Sequence, residues 1–351
     1  MTEDLPRTDS AAASKALDAP LPSPPSAPSP ETTPSRAVRV SVVISAHTRV
    51  QFLKEAVSSV ASQYPDEILV VKYSTDPELD AELTRLGTRV HHSTEPYQGG
   101  KVAEGIGLAR GDVVALLDDD DIFLPGKVRR LRETFADPRI VLYANRYLPF
   151  TDTPPTTEGD RPIRLYQTGA GNQFREGLKP VLASCIAVRR ETMVPWLGDL
   201  RRLTIADHTL FMIAVTQRQW MAMDQSVLTG YRVGRVDGAL RPAQSIWNRP
   251  GATAERDIKW MLDLLDAQSD GVRETLNPMV ANAVIHLVFL TGDTHFHEYR
   301  RTMRAILHGV GLRRPLLVPS TLMFVYPVSP RLAITLNRTW KSLVGWHHHQ
   351  G

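Results

Sequence analysis

Residues 113–125 read VVALLDDDDIFLP, and this stretch decides the fold. Its apolar half, Val113–Leu117, has the length and composition of a strand buried inside a sheet. Pro125 suits the first turn of a helix that follows. Between them stand four consecutive carboxylates, Asp118–Asp121, which repel one another. Such a cluster is costly at the end of a buried strand unless a cation neutralises it.

Hard oxygen ligands of this kind suit a divalent cation. Mg²⁺ and Mn²⁺ prefer carboxylate oxygens, and in proteins they usually bind together with phosphate groups. A solvated acidic turn is the alternative, but such turns rarely follow five apolar residues at the ligand-binding edge of a sheet. The stretch therefore predicts a site for a cation and phosphate at the end of a strand.

Strands and helices alternate on the N-terminal side of this stretch. The apolar spacing predicts strands at 38–44, 68–71 and 88–92 and helices at 50–61, 77–86 and 101–109. This order predicts an α/β fold with a parallel, doubly wound sheet. Such sheets bind ligands beyond the carboxyl ends of their strands, so we expect the turn Ser45–Arg49 beside the aspartates.

The pattern changes after residue 145. Residues 146–180 are rich in Pro, Thr and Gly and predict an excursion with a hairpin, in which Pro154–Gly177 closes over the site. Further strands are expected at 182–188 and 226–232, with a helix at 207–216 between them. Helical patterns at 258–267, 275–290 and 299–307 predict a C-terminal helical subdomain.

Composition limits the class of protein. The chain has 351 residues, a formal net charge of +3 and one cysteine, Cys185. The small net charge predicts no nucleic-acid partner, and a single cysteine permits no internal disulfide, as expected in the cytoplasm. Residues 1–36 are rich in Pro, Ala and Ser and are predicted to be a disordered tail. No segment has the pattern of a transmembrane helix.

Cationic and apolar residues are interleaved near the C-terminus. Such an arrangement can hold a protein peripherally against the inner, anionic face of a membrane. The alternative is a helical subdomain with a solvated cationic face. The apolar residues lie within Leu316–Val325, and the cations are Arg300, Arg301, Arg304, Arg313, Arg314, Arg331, Arg338 and Lys341.

Several segments, in this order, resemble family 2 glycosyltransferases of the GT-A fold. The resemblance implies a Rossmann-like, mostly parallel central sheet flanked by helices, with a C-terminal helical subdomain. It also implies metal-dependent, inverting transfer of a sugar from a nucleotide diphosphate sugar to a hydroxyl acceptor. That acceptor is a glycan, a lipid-linked molecule or a small molecule. The matching segments are Val40–Ala46, Phe52–Val60, Ala109–Asp112 with Leu116–Lys127, Ala206–Leu210 and Val227–Val233.

The resemblance also divides the chain. We expect the glycosyltransferase domain at 37–248, with a nucleotide-binding part at 37–145 and an acceptor part at 146–248. The helical subdomain is expected at 249–345, facing a membrane or a partner.

Roles follow for the acidic residues. By resemblance, Asp118 and Asp120 hold Mg²⁺ or Mn²⁺, and Asp118 and Asp119 contact the donor. Asp207 takes the position of the general base that removes the acceptor's proton. The alternative is that Asp207 only caps the helix beginning at His208.

Donor contacts are assigned to polar residues at the same edge. Ser45, His47 and Arg49 lie in the turn after the first strand. Lys72 is expected at a base carbonyl or a phosphate, or alternatively in an ion pair with a neighbouring acid. Lys101 follows two glycines at a helix start that would favour the donor diphosphate, although an exposed lysine at a simple helix start is the alternative.

Departures from the family pattern support a second hypothesis. Lys72 replaces an acid that usually accepts a hydrogen bond from uracil, which argues against UDP. Ala206 replaces the first acid of the catalytic pair, and Gly234 replaces a His that often completes the metal shell. The second hypothesis is a degenerate, non-catalytic GT-A protein that binds a nucleotide sugar or glycan. A nucleotidyltransferase ranks lower, because Ser45–Arg49 is not glycine-rich.

Overall fold

The computed structural model describes most of the chain between residues 37 and 291. The described residues are 37–46, 50–157, 159–168, 182–204, 206–236, 239–242, 251–291 and Arg301. The predicted tail at 1–36, the end of the predicted loop Pro154–Gly177 and, apart from Arg301, the interleaved C-terminal segment with the helix predicted at 299–307 lie outside them. Within the described ranges, no helix combines the length and apolar character that crossing a membrane requires.

The described elements alternate as predicted in the first half of the chain. Single 3₁₀ turns lie at Ala183–Cys185 and Val194–Trp196. The strands and helices are β1 (Val40–Ala46), α1 (Val50–Ala61), β2 (Glu67–Lys72), α2 (Pro77–Arg85), β3 (Arg89–His92), α3 (Gln98–Leu108), β4 (Val113–Asp118), β5 (Ile122–Phe123), α4 (Lys127–Phe135), β6 (Ile140–Phe150), β7 (Ile163–Gln167), β8 (Ile186–Arg189), α5 (Arg190–Met193), α6 (Leu197–Arg202), α7 (Ala206–Thr216), β9 (Trp220–Val236), β10 (Ala239–Pro242), α8 (Gly251–Asp266) and α9 (Asp270–Thr291).

The strands form one sheet whose main order is β10-β9-β6-β8-β4-β1-β2-β3, with β5 and β7 also paired to β9. β1 is parallel to β2 and β4, and β2 is parallel to β3. β6 and β9 are parallel as well. The predicted Rossmann-like, mostly parallel sheet flanked by helices is therefore confirmed.

β8 departs from a purely parallel arrangement, since it is antiparallel to both β4 and β6. The turn Ala183–Cys185 before it lies at the carboxyl end of β4, where the Asp118 N–H donates to Ser184 Oγ at 3.0 Å. A strand that the chain enters from that end has to run in the opposite direction. The strand predicted at 182–188 accordingly begins as this turn and becomes extended only at Ile186.

β6 and β9 are much longer than the sequence pattern indicates. The segment from residue 146 was expected to leave the sheet, but β6 continues to Phe150, which pairs with Arg232. β9 spans Trp220–Val236 instead of 226–232. β7 pairs with β9, so in the described part of 151–168 the expected separate hairpin is replaced by an addition to the main sheet. Pairing with a long neighbouring strand here overrides local composition.

Alternating side chains of the central strands build an apolar core on each face of the sheet. Val43 and Leu116 belong to the core covered by α3 and α7. Val42 and Leu117 belong to the core covered by α1 and α4. Because helices cover both faces, the carboxyl edge of the strands is the place where polar side chains converge.

The C-terminal helices are built onto the first of these cores. α8 and α9 confirm the helices predicted at 258–267 and 275–290 and begin several residues earlier. Ile258, Leu262 and Leu276 join the same apolar cluster as Val43. α9 packs against both α8 and α7.

Gly105 and Gly107 on α3 provide a matched test of how closely this helix approaches β1. A Cβ at Gly105 would lie 2.3 Å from Val43 Cγ1, whereas a Cβ at Gly107 would meet Leu197 Cδ1 at 3.4 Å. We expect Gly105→Ala to lower the free energy of unfolding by about 1–3 kcal/mol through overpacking. Gly107→Ala should raise it by up to about 1 kcal/mol, because Ala favours a helix over Gly. Urea unfolding checks both, and equal effects would contradict the close contact.

Candidate functional site

The four aspartates form an acidic turn, Asp118–Asp121, where β4 ends beside β1. Asp118 lies opposite Ser45 in the β1–β4 register. Its Oδ1 accepts hydrogen bonds from Ser45 Oγ at 3.2 Å and from Gln98 Nε2, in the first turn of α3, at 2.7 Å. Asp119, Asp120 and Asp121 are only 1%, 3% and 0% exposed. The turn therefore concentrates negative charge where water has little access.

Asp121 is turned toward the protein interior. Ser184 Oγ donates to its Oδ2 at 2.5 Å, and the Arg232 N–H donates to its Oδ1 at 2.9 Å. Burial raises the pKa of Asp121 well above its usual range, and the negative charges of Asp120 and Asp118 raise it further. The protein thus holds both carboxylate oxygens of Asp121.

A buried lysine lies behind the acidic turn. Lys127 Nζ donates to the Ser184 carbonyl at 2.5 Å and to Thr229 Oγ1 at 3.0 Å, and it lies 3.8 Å from the centre of the Phe123 ring. Burial lowers the pKa of Lys127 from 10.5 to about 7, against the opposing effects of Cys185 and Asp121. The sequence placed Lys127 at the end of a family-like segment, Leu116–Lys127, but gave it no role.

Arg232 binds the acidic turn from β9. Besides the backbone contact to Asp121, its Nε–H donates to the Asp120 carbonyl at 2.9 Å. One terminal nitrogen donates to the Thr151 carbonyl at 2.8 Å, and the other pairs with the Glu55 carboxylate on α1. The sequence placed Arg232 in a family-like segment but gave it no role, because its partners are distant along the chain.

Lys101 lies in the first turn of α3 and is only 3% exposed. Burial lowers its pKa, although the negative charges of Asp119, Glu104 and Glu95 act in the opposite direction. The predicted alternative of an exposed lysine is wrong. Lys101 is instead buried close enough to the acidic turn for the charge of Asp119 to act on it. Its contact with a donor diphosphate stays a prediction.

The glycines before Lys101 serve packing. A Cβ at Gly99 would lie 2.0 Å from the Leu203 carbonyl oxygen, and one at Gly100 would lie 2.6 Å from Glu95 Oε2. The start of α3 therefore packs closely against Leu203, just after α6, and against Glu95, just before α3.

Lys72, at the end of β2, has the partner that the alternative interpretation predicted. Its side chain is fully buried and forms an ion pair with Asp80 of α2. Asp80 also contacts His92 Nε2 at 2.9 Å. A direct contact of Lys72 with the donor stays a prediction. Of the other predicted donor residues, Ser45 contacts Asp118, whereas His47 and Arg49 lie outside the described residues.

Asp207 occupies the first turn of α7, which begins one residue earlier than predicted. Its Oδ1 accepts a hydrogen bond from the His208 N–H at 2.7 Å and lies 3.2 Å from His208 Nδ1. Its side chain is 19% exposed. The Asp257 carboxylate of α8 accepts from the Thr204 N–H at 3.1 Å and from the Thr204 hydroxyl, which anchors the approach to α7.

The metal-binding role expected of Asp118 and Asp120 stays a prediction. The negative charges of both residues raise the pKa of Asp121. Within the described ranges, no three acidic, histidine or cysteine side chains form a complete metal site. A Mg²⁺ or Mn²⁺ ion at this edge would therefore take further oxygen ligands from phosphate and water, as these ions commonly do.

Comparison with known proteins identifies a related sequence region. Residues 41–194 match the model of the family described as glycosyl transferase family 2. A stretch of 113 residues is 33% identical to an uncharacterized glycosyltransferase, alr2836, of Nostoc sp.. The match covers 30% of this chain and 35% of that protein, so it spans about a third of the relative's length.

Solved structures share the fold at low sequence identity. S. aureus TarS 1–349 in complex with UDP-GlcNAc has a TM-score of 0.55 and 14% identity, covering 89% of this chain and 93% of that chain. The complex of the same protein with UDP has a TM-score of 0.54 and 11% identity, with the same coverage. At such identity the likeness establishes the fold.

Lys127 should give the protein's stability a measurable pH dependence. Folded Lys127 loses its proton near pH 7, whereas unfolded lysine keeps its proton to about pH 10.5, so unfolding takes up a proton between these values. The free energy of unfolding of the natural protein, relative to Lys127→Met, should therefore rise from pH 7 to 9 by at most about 1.4 kcal/mol per pH unit.

Urea unfolding of the metal-free proteins measures this difference. Asp121 and Cys185 face Lys127, and their raised pKa values act with the opposite sign, but both groups are present in both proteins. Lys54→Met, at an exposed lysine paired with Glu82, is the control and should leave the pH dependence unchanged. A pH-independent difference between the natural protein and Lys127→Met would refute the buried, neutral lysine.

Proposed function

We propose that the protein, whose residues 41–194 match the model of glycosyl transferase family 2, transfers a sugar from a nucleotide diphosphate sugar to a hydroxyl acceptor. The acidic turn at the end of β4 carries the proposal, because ligands of such sheets bind at the carboxyl edge of the strands. TarS, which shares the fold, was crystallised with UDP-GlcNAc and with UDP. We infer a donor of the same chemical class here.

Donor binding rests on the residues around the acidic turn. Asp118 and Asp120 would hold Mg²⁺ or Mn²⁺. The bound ion would neutralise the negative charge that develops on the departing diphosphate. Ser45 and Gln98 orient Asp118 through the same oxygen. Asp119 and Lys101 lie next to these groups, and we assign them to the sugar and the diphosphate. The predicted residues His47 and Arg49 complete the donor site in this proposal.

Lys72 acts indirectly in this proposal. Its ion pair with Asp80 fixes α2 to the end of β2, where the nucleotide base is expected. The usual carboxylate at this position of the chain is replaced by a cation that is already paired. We therefore do not assign uracil specificity.

Acceptor activation is assigned to Asp207. The acceptor oxygen attacks the anomeric carbon and transfers its proton to the Asp207 carboxylate. The bond to the diphosphate breaks, and its electron pair leaves with the phosphate oxygen. Attack from the side opposite the diphosphate inverts the anomeric centre. The contacts of Asp207 with His208 and of Asp257 with Thr204 hold the base in place.

The acceptor class and the location are proposed from the sequence alone. We propose a carbohydrate or lipid-linked acceptor and a cytoplasmic protein that contacts the membrane peripherally through its basic C-terminal segment. A second candidate, a non-catalytic protein that binds a nucleotide sugar or glycan, is favoured by Ala206 and Gly234. Nucleotide-sugar binding without transfer or hydrolysis in the presence of Mn²⁺ would select it.

Asp120→Ala tests the cation site. We expect Mn²⁺ together with a nucleoside diphosphate to raise the thermal unfolding midpoint of the natural protein but not of this variant. Without metal, the midpoint of the variant should stay level or rise, because one of several repelling carboxylates is removed. Asp160→Ala, at an exposed partner of Arg129, is the control and should keep the Mn²⁺ response. An undiminished Mn²⁺ response in Asp120→Ala would remove Asp120 from the site.

Asp207→Asn separates chemistry from donor binding. The amide keeps the shape of the carboxylate but cannot accept the proton, so transfer should fall by about 10²–10⁴-fold. Donor affinity, measured by calorimetry, should change little, because Asp207 is assigned to the acceptor. Asp263→Asn, at an exposed residue of α8 paired with Lys259, should transfer sugar normally. Near-normal transfer by Asp207→Asn would eliminate it as the base.

A further inference from the structure

We propose that Arg232 is a positioning residue that sets the affinity of the acidic turn for a divalent cation. The inference rests on the proposed function, since it assumes that Asp118 and Asp120 bind such an ion. It concerns a residue that does not itself bind the ion. Arg232 holds the backbone that carries the ligands.

The guanidinium group of Arg232 is buried between aromatic rings and hydrogen-bond acceptors. Its carbon lies 4.4 Å from the ring centre of Phe52 and 4.4 Å from that of Phe150, so two aromatic rings pack against it. Its edges donate to the Asp120 and Thr151 carbonyls and to the Glu55 carboxylate. The side chain is 7% exposed. It is therefore buried, and its contacts lie on several chain segments.

These contacts join the parts of the protein that border the proposed donor site. Phe52 and Glu55 lie on α1, the helix that begins at Val50, four residues after the end of β1. Phe150 and Thr151 mark the end of β6, and the Asp120 carbonyl belongs to the acidic turn itself. One side chain thus ties the acidic turn to α1 and to the end of β6.

Only arginine has the donor geometry for this role. A guanidinium is planar, presents five N–H groups in fixed directions and stacks on aromatic rings, whereas lysine provides one compact ammonium. A lysine at position 232 could preserve the charge and one contact, but it could not bridge Asp120, Thr151 and Glu55 together. Metal ligands must be held within about 0.5 Å of their productive geometry, so a looser turn should bind the ion less tightly.

Arg189 provides a matched control elsewhere in the fold. It is 9% exposed, donates to the carbonyls of Ile140, Phe135 and Asp137, and lies 5.5 Å from the Phe135 ring. It pairs with Val113 at the opposite end of β4 from the acidic turn. Arg189→Lys should therefore cost stability much as Arg232→Lys does, without touching the turn.

The experiment compares the two lysine variants with the natural protein. Thermal-shift titrations with Mn²⁺, at a fixed concentration of UDP or GDP, measure the half-saturating Mn²⁺ concentration. We expect this concentration to rise about tenfold or more in Arg232→Lys, as for other residues that hold metal ligands in place, and to stay unchanged in Arg189→Lys. Hydrogen exchange of the amides at 117–124 should accelerate in Arg232→Lys alone.

Glu55→Gln is the second variant, in case Arg232→Lys folds poorly. It leaves the arginine and its carbonyl contacts intact but weakens the ion pair, so it should shift the Mn²⁺ dependence in the same direction by less. Equal Mn²⁺ dependence in Arg232→Lys, Glu55→Gln and Arg189→Lys, with unchanged exchange at 117–124, would overturn the inference while the proposed function stands. Absence of any Mn²⁺-dependent nucleotide binding in the natural protein would overturn both.

Discussion

Negative charge is concentrated at the end of one buried strand, and the surrounding structure has to stabilise it. Four adjacent carboxylates end β4, and three of them are almost completely buried. Hydrogen bonds from Ser184 and the Arg232 backbone stabilise Asp121, and the buried Lys127 side chain donates to the Ser184 carbonyl behind them. These contacts satisfy the innermost carboxylate. They leave Asp118 and Asp120 as the groups for which a cation would offset the remaining repulsion.

The less regular parts of the sheet supply these contacts. β8 is reached through a turn at the carboxyl end of β4, and that turn brings Ser184 to the aspartates. β9 is long enough to extend along β6 as far as Phe150, which carries Thr229 and Arg232 to the same place. The antiparallel strand and the extended strand are therefore the elements that stabilise the acidic turn. The parallel strands alone would provide only its location.

The proposed acceptor side depends on the helices after the sheet core. α7 carries Asp207, packs against α3 and shares an apolar core with α8 and α9. Asp257 of α8 fixes Thr204 just before α7. Since Gln98 of α3 also reaches Asp118, one helix connects the two proposed halves of the site. Looser packing of the C-terminal helices would therefore change the position of Asp207.

The sequence by itself determined the alternation of β1 to β4 with their helices, and hence the edge at which Ser45 meets Asp118. This was possible because βα units are local and bring successive parallel strands to the same edge. The sequence also offered two interpretations of Lys72, a donor contact or an ion pair. The tertiary structure shows the ion pair, because α2 brings Asp80 to the Lys72 side chain. Only the tertiary structure decided how the acidic turn is held. The bonds from Ser184 and Arg232 to Asp121 span 63 and 111 residues, and no local pattern encodes contacts that exist only after the sheet is assembled.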